Sequence, residues 1–404
     1  MPVEVRAVTP AELEDLLLTD NRAFAQPPYP ADQPRGWAEA ELDRTRCAFE
    51  DGALVAASRA YSFELTLPGG GTVPVAAVSW VGVLPTHRRR GILTAMIDAL
   101  HRDARDRGEP AAVLTASEST IYGRYGYGVA TWRLAMTLER AHGAFAHPVD
   151  DTGRVRFLTK DEGEKIVPSV YETVRRGRAG MVTRPDTWWP HLFWNMGRDK
   201  AFFLVLHEDA EGKADGFAAY EVSSAPSVGI PNRRLTVVDI QTTNPTARAA
   251  LWQYVVGVDL VATISANMLP IDEPLRHLLR DPRRARIDFV NDDMWLAPLD
   301  PSALLAARRY SVFDAHLVVE VTDFEGRGVS FAIDGNASDA QCEETEASPD
   351  LSCSTAVLGA VLLGGNRWTE YAQAGLVAEH VPGKLAYADA MFTISPPPTN
   401  TTGF

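Results

Sequence analysis

Cysteine is scarce in this chain of 404 residues, and the three present (Cys47, Cys342, Cys353) are too scattered for a disulfide scaffold or a four-ligand zinc site. In a reducing compartment they are expected to be buried apolar residues. The nine histidines form no His-x-x-x-His pair and do not group with cysteine, so no catalytic metal is expected. Ser79 and Ser117 lack a Gly-x-Ser-x-Gly elbow, which argues against an α/β-hydrolase. No run of about 18 apolar residues occurs, so no helical membrane span is expected. The opening segment has neither the basic start nor the apolar stretch of a secretion signal, and a cytoplasmic location is therefore expected. Positive charge is also in deficit. The formal net charge of -14 disfavours nucleic acid and anionic membranes as partners and favours an amine-bearing, cationic small molecule or peptide. With 46% hydrophobic and 23% charged residues the rest of the composition is that of a soluble globular protein. The length suggests two or three domains, at a prior of roughly 150 residues each.

Along the chain, the alternation Val3, Val5, Ala7 reads as a strand, and Thr9-Pro10-Ala11-Glu12 as a capping box opening a helix through about Leu18. A loop rich in proline and aromatics (Phe24 to Trp37, including Tyr29 and Asp32) follows. Strands from about Cys47 to Val83 are broken by turn signals at Asp51-Gly52 and Pro68-Gly69-Gly70-Gly71. Ile92, Leu93, Met96, Ile97 and Leu100 recur at helical spacing, and Ala111 to Leu114 reads as the next strand. The alternation from Ala130 to Leu138 closes a first unit near residue 145. Residues from about 154 to 295 repeat this order faintly, with strands at Phe202–Leu206, Gly216–Val222 and Leu235–Gln241 and a helix at Pro245–Val256. Their strand-to-helix turn, Thr-Thr-Asn-Pro, has neither glycine nor arginine, so this copy is read as structural. From about 300 a third, α+β unit is expected: a helix at Pro301–Arg308, strands at Leu317–Val321 and Val329–Ile333, turns at Glu325-Gly326 and Asp334-Gly335, and a helical stretch around Val357–Leu362. The last ten residues, Ser395 to Phe404, read as extended and irregular. Asn336-Ala-Ser338 reads as a turn, and Trp188, Trp189 and Trp194 as core or subunit interface.

The stretch that carries chemistry runs Val81-Gly82-Val83-Leu84-Pro85-Thr86-His87-Arg88-Arg89-Arg90-Gly91-Ile92-Leu93-Thr94. A strand enters a basic turn and a helix begins at once. Unpaired N–H groups at the helix start, the positive end of its dipole and a glycine that admits close approach make a pyrophosphate site. Taken alone, an Arg-Arg-Gly turn is more often an ordinary surface turn, and the tyrosines near residue 125 are more often packing residues. The whole run resembles the coenzyme A signature of the GNAT N-acetyltransferase superfamily. The usual pattern, Gln/Arg-x-x-Gly-x-Gly/Ala, is met by Arg88 and Gly91, whereas Leu93 replaces the last small residue. Pro-Thr-His-Arg-Arg-Arg-Gly-x-Leu, the later Ala-Ser-Glu with Ile-Tyr-Gly-Arg-Tyr-Gly-Tyr-Gly, the length and the terminal phenylalanine resemble the Eis (enhanced intracellular survival) acetyltransferases over the whole chain.

The resemblance implies an α+β fold of tandem GNAT units, the second degenerate, then a sterol-carrier-like unit: 1–145 catalytic, 146–298 degenerate, and 299–404 sterol-carrier-like with a catalytic tail. It implies acetyl-coenzyme A as co-substrate and a homohexamer. It places Val81, Gly82 and Val83 along the pantetheine arm, Arg88, Arg89, Arg90, Gly91, Ile92, Leu93 and Thr94 on the pyrophosphate, and Ser117 and Glu118 at the next strand end. Tyr122 stands where the family has its general acid, and the α-carboxylate of Phe404 where it has its general base. The acceptor is expected to meet Phe24 and Trp37 and to be an aminoglycoside, a polyamine or a lysine side chain. Gly403 stands where relatives can carry an acidic residue, which removes one anionic contact. The alternatives are a non-catalytic protein binding coenzyme A and an apolar ligand, and a transferase using a longer acyl donor.

Overall fold

The computed structural model describes residues 3–30, 33, 35–194, 196, 201–223, 232–323 and 326–404. They form two compact units: residues 1–131 with 293–398 and 402–404, and residues 132–292 with 399–401. Two sequence expectations, Asp32 and the turn residue Glu325, lie outside the described residues.

In the first unit the capping box is present. Thr9 N–H and Oγ1 both donate to the Glu12 carboxylate, a short 3-10 turn follows, and the helix Leu13–Ala23 grows from it. This helix runs five residues beyond the expected end at Leu18. Leu16 and Leu17 are buried, and the helix packs on the long hairpin Ala53–Thr66 and Thr72–Val83. The hairpin turns at the Gly69-Gly70 pair, both with positive φ as the sequence demands. The seven-stranded sheet has the order Glu4–Arg6, Cys47–Glu50, Ala53–Thr66, Thr72–Val83, Ala111–Thr115, Met294–Pro298, Gly128–Val129. Its one parallel pairing joins Thr72–Val83 to Ala111–Thr115, and the paired residues are only Val75, Ala76 and Ala77. Beyond them no strand among the described residues pairs with Val78–Val83 on that side. Between the two strands the amphipathic helix Ile92–Asp106 buries Ile92, Met96, Ile97, Leu100 and Ala104 against the sheet.

The same unit holds a five-stranded sheet in the order Ala340–Glu344, Gly328–Gly335, Ala315–Thr322, Leu351–Ser354, Val377–Glu379. The helix Thr355–Val361 lies against the first sheet so closely that a Cβ on Gly359 would stand 2.1 Å from the Leu296 carbonyl oxygen, and one on Gly128 1.8 Å from that of Ala356. Glycine is required at both by space rather than by φ. Asn336 Oδ1 accepts from the N–H groups of Ser338 and Asp339, so Asn336–Asp339 is a side-chain-stabilised turn.

The second unit has a seven-stranded sheet in the order Arg286–Asp292, Trp132–Glu139, Val261–Pro270, Arg233–Thr242, Ala214–Ser223, Ala201–Glu208, Arg154–Phe157. Its helix Pro245–Gly257 follows Arg233–Thr242 as expected, but its start is closed. Asn244 Oδ1 accepts from Ala247 N–H, Asn244 Nδ2 donates to Asp215, and Pro245 has no N–H to offer. A carboxylate stands where an anion cradle would need a cation.

One expectation is corrected here. Trp132–Glu139, read as closing the first unit, pairs with Val261–Pro270 and Arg286–Asp292 in the second sheet, while Met294–Pro298 completes the first. The reason is physical: alternation identifies a strand with one buried face but carries no information on which edge it joins. At the first unit's end of this exchange Thr131 Oγ1 donates to Asp293 Oδ2 and accepts from Met294 N–H.

Candidate active site

The open strand edge, the helix start and the segment after Ala111–Thr115 enclose a pocket of about 510 Å³. It is lined by Val81, Gly82 and Val83, by Arg88, Arg89, Gly91, Ile92, Leu93 and Thr94, and by Ser117, Glu118 and Tyr122. Ala23, Phe24 and Ala25 complete the lining, with Ala23 and Phe24 close against Gly82. Thus sequence positions spread over a hundred residues meet, because a parallel pair that separates after three residues must leave a cleft, and the connecting helix points its N-terminus into that cleft.

Local geometry explains each part. Gly91 precedes the helix at φ +78° with open space around it, so its role is the left-handed turn. No side chain caps this helix, and the first N–H groups have no intrahelical acceptor. Arg89 also takes positive φ, at 63°, which brings the turn's backbone round toward the pocket. The three arginines separate by what they touch. Arg88 donates to the carbonyls of Val83 and Ala23 at 3.3 Å each and braces the two walls. Arg90, expected on the pyrophosphate, is instead ion-paired with Glu50, beside His87 at 3.0 Å, and does not line the pocket. That pairing follows from the strand Cys47–Glu50 ending next to the turn, a neighbourhood invisible in sequence. Arg89 lines the pocket and is an exposed residue. The fit to a pyrophosphate therefore rests on the backbone of Gly91–Thr94 together with Arg89. Arg89→Ala is expected to raise KM for acetyl-coenzyme A about fivefold to tenfold, with kcat nearly unchanged, as steady-state kinetics would read. An unchanged KM removes Arg89 from the site.

Tyr122 ends the short helix Ser119–Tyr122 and is 8% exposed. Its ring meets Tyr127 edge-on at 5.9 Å, and Tyr127 shares a hydrogen bond of 2.9 Å with His101 Nε2, which fixes the pair. Burial, with the negative Glu118 nearby, pushes the Tyr122 phenol up to about 12. It therefore remains a proton donor throughout the neutral range. Thr94 Oγ1 and Tyr125 OH lie 3.0 Å apart and tie the helix start to the same segment.

Of the remaining expectations, Phe404 does not line this pocket; its ring meets Phe63 edge-on at 5.4 Å. Trp37 lies in the helix Gly36–Glu39, and its side chain is outside the described residues. The tail is irregular in backbone, as read, yet Thr399, Asn400 and Thr402 are buried. In the second unit Arg184 donates to the Thr401 carbonyl and Gln241 Nε2 to Thr401 Oγ1, both at 2.8 Å. Cys47 and Cys353 are buried, and burial raises both thiols, so neither is poised as a nucleophile. Among the described residues no group of three or more His, Cys, Asp or Glu is placed to hold a metal ion, and no helix is long and apolar enough to cross a membrane.

A strand opening onto an uncapped helix start, with a buried tyrosine beyond it, has the chemistry to hold an extended arm ending in anionic phosphate. Comparisons with known proteins agree. Residues 4–130 and 180–296 each match a family described as an acetyltransferase (GNAT) domain, and residues 301–400 a sterol carrier protein domain. The chain is 34% identical to an uncharacterized N-acetyltransferase of Streptomyces griseus over 97% of both chains. It is equally identical to N-acetyltransferase Eis of Mycobacterium tuberculosis over 83% of this chain and 82% of that one. The crystal structure of Eis1 from Mycobacterium abscessus matches with a TM-score of 0.87 at 34% identity, covering 99% of this chain and all of that one. The chain belongs to the Eis N-acetyltransferases of the GNAT superfamily, and acetyl-coenzyme A is its acyl donor.

Proposed function

We propose that the chain acetylates a primary amine of a cationic small molecule, of aminoglycoside or polyamine type, or of a lysine side chain, by direct transfer in a ternary complex. The observation that carries this reading is the pocket that joins Val81–Val83, the Gly91–Thr94 helix start and Tyr122. Acetyl-coenzyme A supplies the acetyl group as a thioester. The open backbone of Val81–Val83 binds the extended arm as an added strand would, and the helix start with Arg89 holds the anionic end. The amine nitrogen forms the new C–N bond as the C–S bond breaks; Tyr122 gives its proton to the departing sulfur, and the Phe404 carboxylate takes the proton leaving the nitrogen, directly or through water. The net charge of -14 favours a cationic acceptor.

The test is free-thiol release from acetyl-coenzyme A with spermidine, kanamycin, a blocked lysine peptide and an arylalkylamine. Turnover with at least one is expected, and its identity names the acceptor class. Silence across the panel with the cofactor bound overturns the reading.

A further inference from the structure

The helix start of the second unit is closed, and acetyl transfer as derived above gives that unit no task. The tail of the chain points to one. By its contacts the run Thr399–Thr401 belongs to the second unit, although Thr402–Phe404 belong to the first. Thr399 N–H donates to the Ala179 carbonyl at 3.0 Å. Arg184 spans two acceptors: one guanidinium nitrogen donates to Asp239 Oδ2 at 2.6 Å and the other to the Thr401 carbonyl at 2.8 Å. Gln241, two residues beyond Asp239 on the same strand and therefore on the same face, does likewise. Its Nε2 donates to Asp239 Oδ1 at 2.6 Å and to Thr401 Oγ1 at 2.8 Å.

This arrangement is buried and backed by aromatic rings. The side chain of Arg184 is 4% exposed, and its guanidinium lies over Tyr171 at 4.0 Å and over Trp189 at 5.4 Å. Tyr171 is itself fixed, its hydroxyl donating to the Val182 carbonyl at 2.7 Å. A guanidinium taken out of water needs its N–H groups satisfied, and here a carboxylate and a tail carbonyl satisfy them together. Withdrawing the tail would strip a buried donor of that partner, which is costly. Thr399 and Asn400 are buried accordingly, whereas a chain end of this composition is ordinarily solvated. Beyond Thr401 only three residues remain, and at about 3.4 Å each they confine the terminal carboxylate to within about 10 Å of the anchored residue.

We infer that the second unit is the holder of the tail: Arg184, Asp239 and Gln241 form the receiving site for Thr399–Thr401, and Arg184 is the positioning residue for the Phe404 carboxylate. The positioning role rests on the acetyl-transfer reading above; the anchor stands apart from it. A unit with no cradle for the coenzyme thereby governs where the last residue of the chain can go.

The experiment is timed digestion of the full-length protein with carboxypeptidase A, read as released phenylalanine, beside thermal unfolding and steady-state kinetics with spermidine and kanamycin. An exopeptidase must draw several terminal residues into its own cleft, so release of Phe404 tracks the population in which Thr401 has left its anchor. Arg184→Lys keeps a charge beside Asp239 but loses the fork that reaches both acceptors. It is expected to speed phenylalanine release about tenfold or more and to lower kcat about tenfold, with KM for acetyl-coenzyme A within about twofold. Thr401→Val, which removes only the Gln241 bond, is expected to speed release about threefold and covers the case in which Arg184→Lys fails to fold. Val255→Ala thins a separate hydrophobic cluster of the same unit and is expected to lower the unfolding temperature with release unchanged. Equal release from wild type and Arg184→Lys, or Val255→Ala speeding release as much as Arg184→Lys, overturns the anchor. Faster release from Arg184→Lys with unchanged kcat overturns the positioning role and leaves the anchor. Silence of the wild type on every amine of the panel above overturns the acetyl-transfer reading, and the positioning role with it, while the digestion still decides the anchor.

Discussion

Replacing Tyr122 by phenylalanine is expected to lower kcat about 10²-fold or more while leaving KM for acetyl-coenzyme A within about threefold. The substitution deletes a single hydroxyl. The ring keeps its edge contact with Tyr127, which is itself held by His101, so loss of packing cannot account for the fall. The phenol's position well above its ordinary range also fixes a pH signature. A donor fails only as pH rises through its own pKa, so with Tyr122 near 12 the rate should show no alkaline decline attributable to it below about pH 10. A Tyr122→Phe enzyme with wild-type turnover would remove the tyrosine from the mechanism.

Deleting Phe404 is the second large effect: kcat is expected to fall about 10²-fold, because the proposed mechanism gives its carboxylate the proton leaving the nitrogen. Two contributions must be separated, since the residue carries both a ring against Phe63 and the terminal carboxylate. Phe404→Ala keeps a carboxylate at position 404 and loses the ring contact; deletion loses both and shifts the carboxylate to Gly403. If the carboxylate is the base, deletion costs more than Phe404→Ala. Equal losses would assign the effect to the aromatic contact, and full activity after deletion with normal folding would leave the tail without a catalytic part.

Much of the lining of the pocket was legible because its physics is local. A strand, a turn with glycine in the left-handed region and an amphipathic helix are written within some twenty residues, and the lining residues follow from them. Arg90 shows the limit. Its sequence context equals that of Arg89, but the partner that claims it, Glu50, is brought alongside only by sheet pairing. The end of the first helix was hidden differently. The periodic reading ended it at Leu18, whereas the helix in fact continues to Ala23 and buries Asp20, and nothing in the spacing told that the Tyr29 hydroxyl would hold that carboxylate. The burial of Thr399, Asn400 and Thr402 was equally illegible, because a Pro- and Thr-rich end has the composition of a solvated one.

The strand exchange around Thr131 and Asp293 bears on the order in which the protein can be made. Most strands of the sheet carrying the pocket precede the second sheet in sequence, yet the strand that covers Ala111–Thr115 and joins Gly128–Val129 is Met294–Pro298. On the ribosome this sheet must wait with an unpaired edge until Met294–Pro298 has emerged, and by then the whole second sheet has been supplied. This sheet is therefore closed only after the strands of the second sheet have been supplied. A chain interrupted before Met294 therefore presents Ala111–Thr115 as an open edge.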